Sequence, residues 1–390
     1  MAITALNDTV TAEPPGSARE AAFEHALQVL KERRDEFNEQ RYVPKDFIAL
    51  LKKAGIYRAS TPERFGGEPM PPADFMKLIE RISEVDPATG WVASFGSALN
   101  YFGALPLDTQ EKIYANGPDL VYAGGLFPMQ EAEKVEGGYL CSGEWQFASG
   151  CKGADILSIG LRGGPETQGR PLGAILNPAD AEIIDAWDVA GMQATGSHVV
   201  KVDNLFIPEE HTFIRGGESH IDEPLNRYPA TAYAAQVLAV VTLGAARAAL
   251  DFVTTKGSAS TSITGGEAKG NRPVYKIGLA HAEADLRSAR SFFYEITEEV
   301  WEKAVAGEEI TDRDTALVRL AASQAAKVGR KAILDAYDLA GTGAIFNSHP
   351  LQRYARDGLV PRQHAMLQEN TFEAAGAVLL NLDPGIPSFP

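Results

Sequence analysis

Cysteine is scarce in this sequence, and acidic residues outnumber basic ones. The two cysteines, Cys141 and Cys151, are too few for a disulfide framework or a cysteine metal site, so we interpret them as small buried residues in a reducing cytoplasm. The net charge of −16 argues against a general nucleic-acid binder, because contacts to phosphates require clustered lysines and arginines.

The short motifs that identify many enzymes are also missing. The seven histidines are scattered, without an HxxxH or HExxH pair, so no metal site is predicted. The sequence contains no G-x-G-x-x-G, no G-x-x-x-x-G-K-[ST] and no G-x-S-x-G, which argues against a Rossmann site, a P-loop and a nucleophile elbow. We therefore expect nothing in this chain to bind NAD(P)H.

Long apolar segments are not evident either. No run approaches the roughly 20 residues of a membrane span. The first 17 residues lack the basic and apolar segments of a signal peptide, and we interpret them as a frayed tail. These observations predict a soluble, cytoplasmic protein without a membrane partner.

The pattern that is present divides the chain into three zones. Apolar residues recur every three or four positions in residues 18–118, which predicts an N-terminal helical domain. In residues 119–215 the period changes to two and glycine becomes frequent, which predicts a small β-sandwich or barrel domain. Long alanine-rich helices follow in residues 228–390 and predict a four-helix bundle, so the fold class is mostly α with one sheet domain.

Two segments have more specific predictions. Residues 87–105, PATGWVASFGSALNYFGAL, are apolar on nearly every side, which predicts one buried helix. Residues 256–273, KGSASTSITGGEAKGNRP, form the clearest low-complexity break and predict a surface loop.

Two turns in the predicted sheet contain glycine and hydroxyl side chains beside aromatic residues. They are QFASG at residues 146–150 and MQATGS at residues 192–197, which follows Trp187. Either one alone is typical of an ordinary turn. Together they favour a flat aromatic cofactor, which needs a face to stack on and polar groups at its edge.

Several segments resemble the acyl-CoA dehydrogenase family, in the same order along the chain. They are RFGGEPM at residues 64–70, GYLCSGEWQFASGCKGADILSIG at 138–160, MQATGSHVVKVDNLFIPEEH at 192–211 and LQRYARDG at 351–358. The resemblance covers about residues 20–382. It implies a helical domain, a small sheet domain and a four-helix bundle, assembled as a homotetramer.

Departures from that family select a subfamily. The dehydrogenase motif T-E-P-x-x-G-S-D is absent from residues 122–138, and Glu369 lies too late to match the dehydrogenase glutamate. Residues 363–365, Gln-His-Ala, and the W-x-F-x-S-G strand resemble the oxygenase component of two-component flavin monooxygenases. Such enzymes take reduced FMN or FAD from a separate NAD(P)H-flavin reductase, form a C4a-(hydro)peroxide with O2, and hydroxylate a small aromatic compound.

The resemblance also implies roles for individual residues. The catalytic candidates are Ser149 near flavin N5, His364 to take or orient a substrate proton, and Asn100. The flavin-binding candidates are Phe147, Ser149, Trp187, Thr195, Ser197, Arg272, Gly341 and Thr342, with Lys269 or Arg272 on the phosphate. The substrate-binding candidates are Trp91, Ser97, Asn100, Tyr101 and His364. Arg362 is interpreted as a structural ion-pair partner.

The missing second histidine bears on the substrate. Relatives often carry a histidine in the segment that is GWVASFGSALNY here, where Ser97 or Asn100 would replace it. A pocket with a single histidine favours an indole-like or phenol-like substrate. An acyl-CoA dehydrogenase with tightly bound FAD, an N- or S-oxygenating enzyme of the same fold, and an assembly protein that binds no flavin are the alternatives.

Overall fold

The computed structural model describes most of the chain. The described residues are 16–164, 167, 170–262, 265–386 and 389. Most of the tail predicted to be frayed lies outside them. So do residues 165, 166, 168 and 169, and residues 263 and 264 of the predicted surface loop.

The N-terminal part is helical because its apolar residues recur at helical spacing. Phe23, Ala26, Leu30 and Phe37 are all buried along one stripe of the first helix. The helices are α1 (Gly16–Gln40), α2 (Lys45–Lys53), α3 (Pro72–Val85), α4 (Pro87–Ser94) and α5 (Leu107–Ile113).

The chain from Phe95 to Ala104 is a 3₁₀-helix, not the continuation of α4 that the sequence predicted. Serine side chains compete for the backbone here. Ser94 Oγ donates to the carbonyl three residues earlier at 2.7 Å, and Ser97 Oγ donates to Ser94 O at 2.8 Å. With three residues per turn, Ser97 and Asn100 share one face, while Tyr101 lies on the next.

The middle of the chain forms one twisted sheet of eight strands in the order β6-β7-β3-β1-β4-β5-β8, with β2 paired to β3. Strands β1 and β4 are parallel, and the other pairs are antiparallel. The strands are β1 (Tyr122–Gln130), β2 (Ala132–Val135), β3 (Gly138–Ala148), β4 (Ile156–Leu161), β5 (Leu172–Leu176), β6 (Glu182–Ile184), β7 (His198–Pro208) and β8 (Thr212–Ile214).

The C-terminal part is a bundle of long helices. Alanine dominates the buried face of its central members, which lets the helix axes approach closely. A capping box of Thr311 and Asp314 starts α9. The helices are α6 (Pro224–Arg227), α7 (Ala230–Phe252), α8 (Pro273–Ala306), α9 (Asp312–Ala340), α10 (Pro350–Gly358) and α11 (Glu369–Leu379). This order of helices, sheet and bundle confirms the predicted fold class.

Helix α7 corrects one sequence prediction. With the π-helical turn that follows, residues 230–257 are long and apolar enough to span a membrane, although no such run was identified from the sequence. In the fold, 72% of its most apolar window is buried. The helix is apolar because it packs between α3 and α9 at the centre of the core.

Candidate active site

Two turns meet at one end of the sheet, because β3 ends beside the residue at which β7 begins. Ala148 pairs with His198, and the backbone N–H of Gly150 donates to Thr195 O at 2.8 Å. Gly150 and Gly196 have φ values of 77° and 51°, a region that suits glycine. The two glycine-containing turns therefore lie side by side and are joined by a backbone hydrogen bond.

The hydroxyl groups of these turns form a hydrogen-bonded chain with a fixed direction. A carbonyl oxygen only accepts, so Thr195 Oγ1 donates to Met192 O at 2.9 Å. Ser197 Oγ must then donate to Thr195 Oγ1, and Ser149 Oγ to Ser197 Oγ, each at 2.7 Å. Trp91 Nε1 donates to Ser149 Oγ at 3.1 Å. Ser149 has thus used its proton and one lone pair, which leaves it one acceptor position.

An aromatic pair lies beside the hydroxyl chain. The rings of Phe147 and Trp187 meet edge to face with centroids 6.2 Å apart, and Trp187 Nε1 donates to Met192 O at 3.1 Å. Phe147 has a φ of 62° and is 62% exposed. Exposure of a large apolar ring on a strained backbone is unfavourable unless it serves contact with another molecule. The pair fits a flat cofactor, with the hydroxyl chain at its polar edge.

Trp91 connects this edge to His364. Helix α4 presents Trp91, and the carboxylate of Asp86 caps that helix by accepting from Thr89 N at 2.9 Å. The ring of Trp91 is buried and meets the His364 ring edge to face, with centroids 6.0 Å apart. Since the same indole donates to Ser149, the structure brings Ser149, Trp91 and His364 together.

His364 is held in its neutral form. Its Nδ1 accepts from Met366 N at 3.3 Å, which assigns the ring proton to Nε2. Burial, followed by the positive charges of Arg215 and Arg319, lowers the pKa of His364 to about 4. At neutral pH the side chain is a hydrogen-bond donor and a weak base, which favours orientation of a substrate over removal of its proton.

Arg362 forms the structural ion pair that the sequence predicted. Its Nη2 lies 2.7 Å from Glu369 Oε1, and Lys327 Nζ lies 3.2 Å from the same oxygen. The Glu369 side chain is 68% exposed. A dehydrogenase base must reach a buried substrate, so this exposed and paired carboxylate argues against that alternative.

Asp357, in helix α10, supports the 192–197 turn with a hydrogen bond. Its Oδ1 accepts from Met192 N at 2.6 Å, and Met192 has a φ of 57°. Burial, followed by repulsion from Asp86, raises the pKa of Asp357 to about 7. Arg353 pairs with Asp86 at 2.9 Å and is attracted to Asp357. One buried network therefore holds both the α4 cap and the 192–197 turn.

A second cluster near His364 is positively charged. Arg215 Nη2 donates to Tyr101 Oη at 3.2 Å, and the Arg215 guanidinium carbon lies 4.9 Å from the Tyr101 ring centroid. Arg319 is only 5% exposed, and its guanidinium carbon lies 4.9 Å from the Phe389 ring centroid. Burial and the positive charge of Arg215 lower the pKa of Arg319 to about 10, despite the opposing effect of Tyr101.

Sequence reasoning did not identify Arg215, Arg319 or the bracing role of Asp357. A signal for Arg319 was available: it stands between Ala316 and Ala322 at the spacing of the buried face of α9. A charged residue at a core position needs a partner or a ligand. Arg215 follows a short edge strand in an ordinary glycine turn and gives no such signal.

Ser97 and Asn100 lie on a different face from Tyr101. Asn226 Nδ2 donates to Asn100 Oδ1 at 3.0 Å, while Ser97 Oγ donates to Ser94 O. Within the described part of the chain, Asn100 Nδ2 has no partner. These contacts tie Asn100 to the segment before α7, and its predicted catalytic role stays a prediction.

One of the two predicted phosphate residues, Lys269, lies at the C-terminal end of α9. Lys269 Nζ donates to Ala340 O and would lie 3.8 Å from a Cβ placed on Gly341. Lys269 therefore caps the helix, as cations do at a helix C-terminus. Arg272, half-buried at the start of α8, and Thr342 are the remaining candidates.

The two cysteines are structural, and Cys151 Sγ donates to Gly196 O in the 192–197 turn at 3.6 Å. Cys141 and Cys151 are buried free thiols, and burial raises the pKa of each to about 11. A thiol with that pKa is a poor nucleophile at neutral pH. Their interpretation as buried small residues is confirmed.

Models of one protein family match two parts of the chain. The model described as acyl-CoA dehydrogenase, N-terminal domain, matches residues 17–107. The model described as acyl-CoA dehydrogenase, C-terminal domain, matches residues 236–369.

Individual proteins match over nearly the whole length. An indole-3-acetate monooxygenase from Pseudomonas putida is 44% identical across 93% of this chain and 94% of its own. The flavin-dependent monooxygenase oxygenase subunit HsaA from Rhodococcus jostii is 30% identical across 87% of this chain and 92% of its own. The structure of XiaF from Streptomyces sp., in complex with FADH2 and glycerol, has a TM-score of 0.88 at 23% identity, covering 96% of this chain and 98% of that one, and supports the fold alone.

Proposed function

This chain belongs to the flavin-dependent monooxygenases of acyl-CoA dehydrogenase fold, and on that premise we propose that it oxygenates an indole-type ring that lies against Trp91 and His364. It is the oxygenase component and uses reduced flavin and O2. The observation that carries the proposal is the directed hydroxyl chain that ends at Ser149, beside the Trp91 wall.

Bound reduced flavin supplies two electrons, so that one atom of O2 enters the substrate and the other leaves as water. The chain binds no NAD(P)H in this proposal, and a separate reductase supplies the flavin. The protein's own task is to bind, to orient and to exclude water.

Ser149 is arranged to recognise the reduced form. Its open position accepts a hydrogen bond, because its proton already goes to Ser197. A reduced isoalloxazine carries an N–H at N5, whereas the oxidised ring offers only an acceptor there. The hydroxyl chain therefore complements reduced flavin, with the pair of Phe147 and Trp187 as the apolar surface and Thr195 as the anchor of the chain.

On the substrate side, Trp91 and His364 form two walls at an edge-to-face angle of 60°. Their apolar surfaces suit a bicyclic heteroaromatic ring, and His364 Nε2 offers one donor to it. The name of the Pseudomonas putida relative supports an indole ring. Asn100, whose Nδ2 has no partner among the described residues, and the adjacent Ser97 are kept as further substrate contacts.

The flavin phosphate is assigned to Arg272, near Gly341 and Thr342, across a subunit contact. Support comes from exposed apolar side chains at those ends of α8 and α9, which in a monomer would face water. They are Val274 at 74%, Ile277 at 58%, Ile345 at 59% and Phe346 at 64% exposed. A cytoplasmic homotetramer, with domains at residues 18–118, 119–215 and 228–390, completes the proposal.

The proposal is tested by mixing the protein with reduced FMN or FADH2 and indole-3-acetate without oxygen, then admitting O2. Oxygenated product and hydrogen peroxide are quantified per reduced flavin. We expect product from the wild type and, from Ser149→Ala, a shift towards peroxide. Ser142→Ala, at an exposed serine of β3, the strand that precedes Ser149, is the matched control. Peroxide alone from the wild type, with every aromatic compound offered, would refute the proposal.

A further inference from the structure

Helix α10 supports the two segments that carry the ends of the hydroxyl chain, although none of its residues belongs to that chain. At one end, the carbonyl oxygen of Met192 accepts from Thr195 Oγ1 at 2.9 Å. At the other end, Trp91 Nε1 donates to Ser149 Oγ at 3.1 Å. The geometry and direction of the chain therefore depend on the Met192 peptide and on the helix that presents Trp91.

The Met192 end is fixed by the last turn of α10. Asp357 Oδ1 accepts from Met192 N at 2.6 Å, and Asp357 Oδ2 has no hydrogen-bond partner among the described residues. Met192 has a φ of 57°, where a side chain strains the backbone, so this peptide needs support. A Cβ on Gly191 would lie 2.1 Å from Arg356 O, so glycine is required for α10 to approach the turn this closely.

The Trp91 end is fixed one turn earlier on the same helix. Arg353 Nη1 lies 2.9 Å from Asp86 Oδ1. The other oxygen of Asp86 caps α4 by accepting from Thr89 N at 2.9 Å and from Thr89 Oγ1 at 2.7 Å. Asp86 is fully buried and its charge needs the Arg353 cation, which also pairs with Asp35 of α1. The start of the helix that presents Trp91 is therefore tied to α10.

The two α10 residues are four positions apart, so they lie on one face of the helix. The contacts consequently form a closed ring. It runs from Arg353 through the cap of α4 to Trp91, continues along the hydroxyl chain, and returns to α10 at Asp357. Because every member is packed against the next, a displacement at α10 changes the position of Trp91 relative to the 192–197 turn.

We propose that Arg353 and Asp357 are positioning residues that keep the hydroxyl chain in register between the flavin and the substrate wall. The inference rests on the proposed function, which assigns the chain to reduced flavin and Trp91 to the substrate. Both residues act through the segments that they hold. Variants of Ser149 or His364 change mainly one side of the site, whereas loss of the Arg353 contact changes both.

The test uses a double variant, Asp86→Asn with Arg353→Gln, which removes the ion pair without leaving either charge buried and unpaired. Asparagine caps a helix as well as aspartate does, so α4 keeps its start. Arg356→Gln is the matched control, because this arginine is exposed on the same helix and donates to the carbonyl oxygen of Gln352. Urea unfolding first shows that both proteins are folded.

Flavin selectivity, substrate affinity and yield are then measured. The dissociation constants of the reduced and oxidised flavin are determined for FMN or FAD, whichever the wild type binds more tightly. The affinity for indole-3-acetate is measured without oxygen in the presence of reduced flavin. Product per reduced flavin is measured after O2 is admitted.

The double variant should lose on both sides of the site. Its preference for reduced over oxidised flavin should fall about fivefold, and its affinity for indole-3-acetate about threefold, with a lower product yield. The control should stay within about twofold in each measurement. A variant that was only less stable would keep the flavin preference, because a ratio of two affinities does not depend on the fraction of folded protein.

Two single variants keep the test decisive if the double variant does not fold. Arg353→Lys keeps a cation beside Asp86 and should keep the flavin preference within about twofold. Gly191→Ala leaves both ion-pair partners in place but forces the turn away from α10, and should lower the preference as the double variant does.

The outcomes separate the inference from the function beneath it. A folded double variant with the flavin preference and substrate affinity of the wild type would overturn the inference, and so would a loss confined to one side. A wild type without any preference for reduced flavin would overturn it together with the role of Ser149. A flavin preference that depends on Arg353, in a protein whose wild type yields peroxide alone, would support the inference and refute the oxygenation.

Discussion

The two sides of the candidate site differ in how their polar groups are satisfied. On the flavin side, Ser149, Ser197 and Thr195 pass hydrogen bonds to one another and end on a backbone carbonyl. On the substrate side, Arg215 and Arg319 concentrate positive charge around a neutral histidine. The first arrangement is an uncharged hydrogen-bonded chain, and the second is a set of charges that keeps His364 neutral.

The difference indicates how each side selects its ligand. A hydrogen-bonded chain with one open acceptor discriminates by the position of a proton, and so between redox states of a ring. A neutral buried histidine discriminates by hydrogen bonding, because its Nε2 offers one donor and its ring carries no charge. Variants on the two sides should therefore change different measurements.

The largest effect on stability is expected when Met192 N loses its hydrogen bond to Asp357, which supports the 192–197 turn. Asp357→Leu removes the acceptor of Met192 N and leaves Arg353 with less negative charge nearby, and should lower the unfolding free energy by about 3 kcal/mol. Asp357→Asn keeps an acceptor and resembles the protonated acid, so its loss should stay below about 1 kcal/mol. Urea unfolding checks both. Equal losses would show that the hydrogen bond to Met192 is unimportant.

A comparable effect, of about 3 kcal/mol, is expected from the pH dependence of the substrate side. The pKa of His364 is lowered in the fold, so its contribution to stability is present above about pH 6.5 and is lost as the pH falls towards 4. The raised pKa of Asp357 acts with the opposite sign in an overlapping range, so the quantity to measure is the difference between His364→Gln and the wild type. That difference should shrink as the pH falls from 6.5 to 4; a constant difference would contradict the buried neutral histidine.

A smaller effect, on product per reduced flavin, is expected from variants within the hydroxyl chain. Ser197→Ala leaves the Ser149 proton free to turn, so it should reduce product per reduced flavin a few-fold, less than Ser149→Ala does. Thr195→Val, one bond further away, should reduce it less again. Product and peroxide yields measure this order. A reversed order would mean that the chain does not act through Ser149.

The smallest effect is expected from Arg41, an exposed residue beside Trp187. Arg41 donates to Trp187 O at 3.2 Å and pairs with Asp188 at 2.9 Å, but both side chains are exposed. Arg41→Ala should change the unfolding free energy by less than about 0.5 kcal/mol. Its flavin affinity, measured by titration with reduced FMN, should fall no more than about threefold. A larger loss would place the Trp187 loop among the groups that the flavin needs ordered.

Much of the fold followed from periodicity, because the helix and strand patterns change sharply along the chain. The exceptions have local causes. Residues 95–104 have an apolar helical pattern, yet serine-to-carbonyl bonds tighten them into a 3₁₀-helix. The apolar run of α7 became evident only with its surroundings, since burial among other helices is a tertiary property.

The site was predictable only where residues cluster in sequence. Ser149, Thr195 and Ser197 stand in short turns whose resemblance to a family marks them, and Trp91 and His364 followed the same resemblance. The effect of Arg215 and Arg319 on His364 depends on residues that are distant in sequence, which no local pattern encodes. Asp357 belongs to a recognised motif, but its acceptance from a strained backbone N–H is visible only in three dimensions.

The contrast between the two sides is tested most directly by one paired measurement on Ser149→Ala and His364→Leu. Indole-3-acetate affinity and product per reduced flavin at saturating substrate are determined for both variants. The account predicts that Ser149→Ala lowers product yield while its affinity for indole-3-acetate stays within about twofold. It also predicts that His364→Leu, which removes one neutral donor, weakens that affinity about fivefold and lowers the yield less than Ser149→Ala does. If both variants lose yield alike and neither loses affinity, the division into a proposed flavin side and a proposed substrate side is wrong.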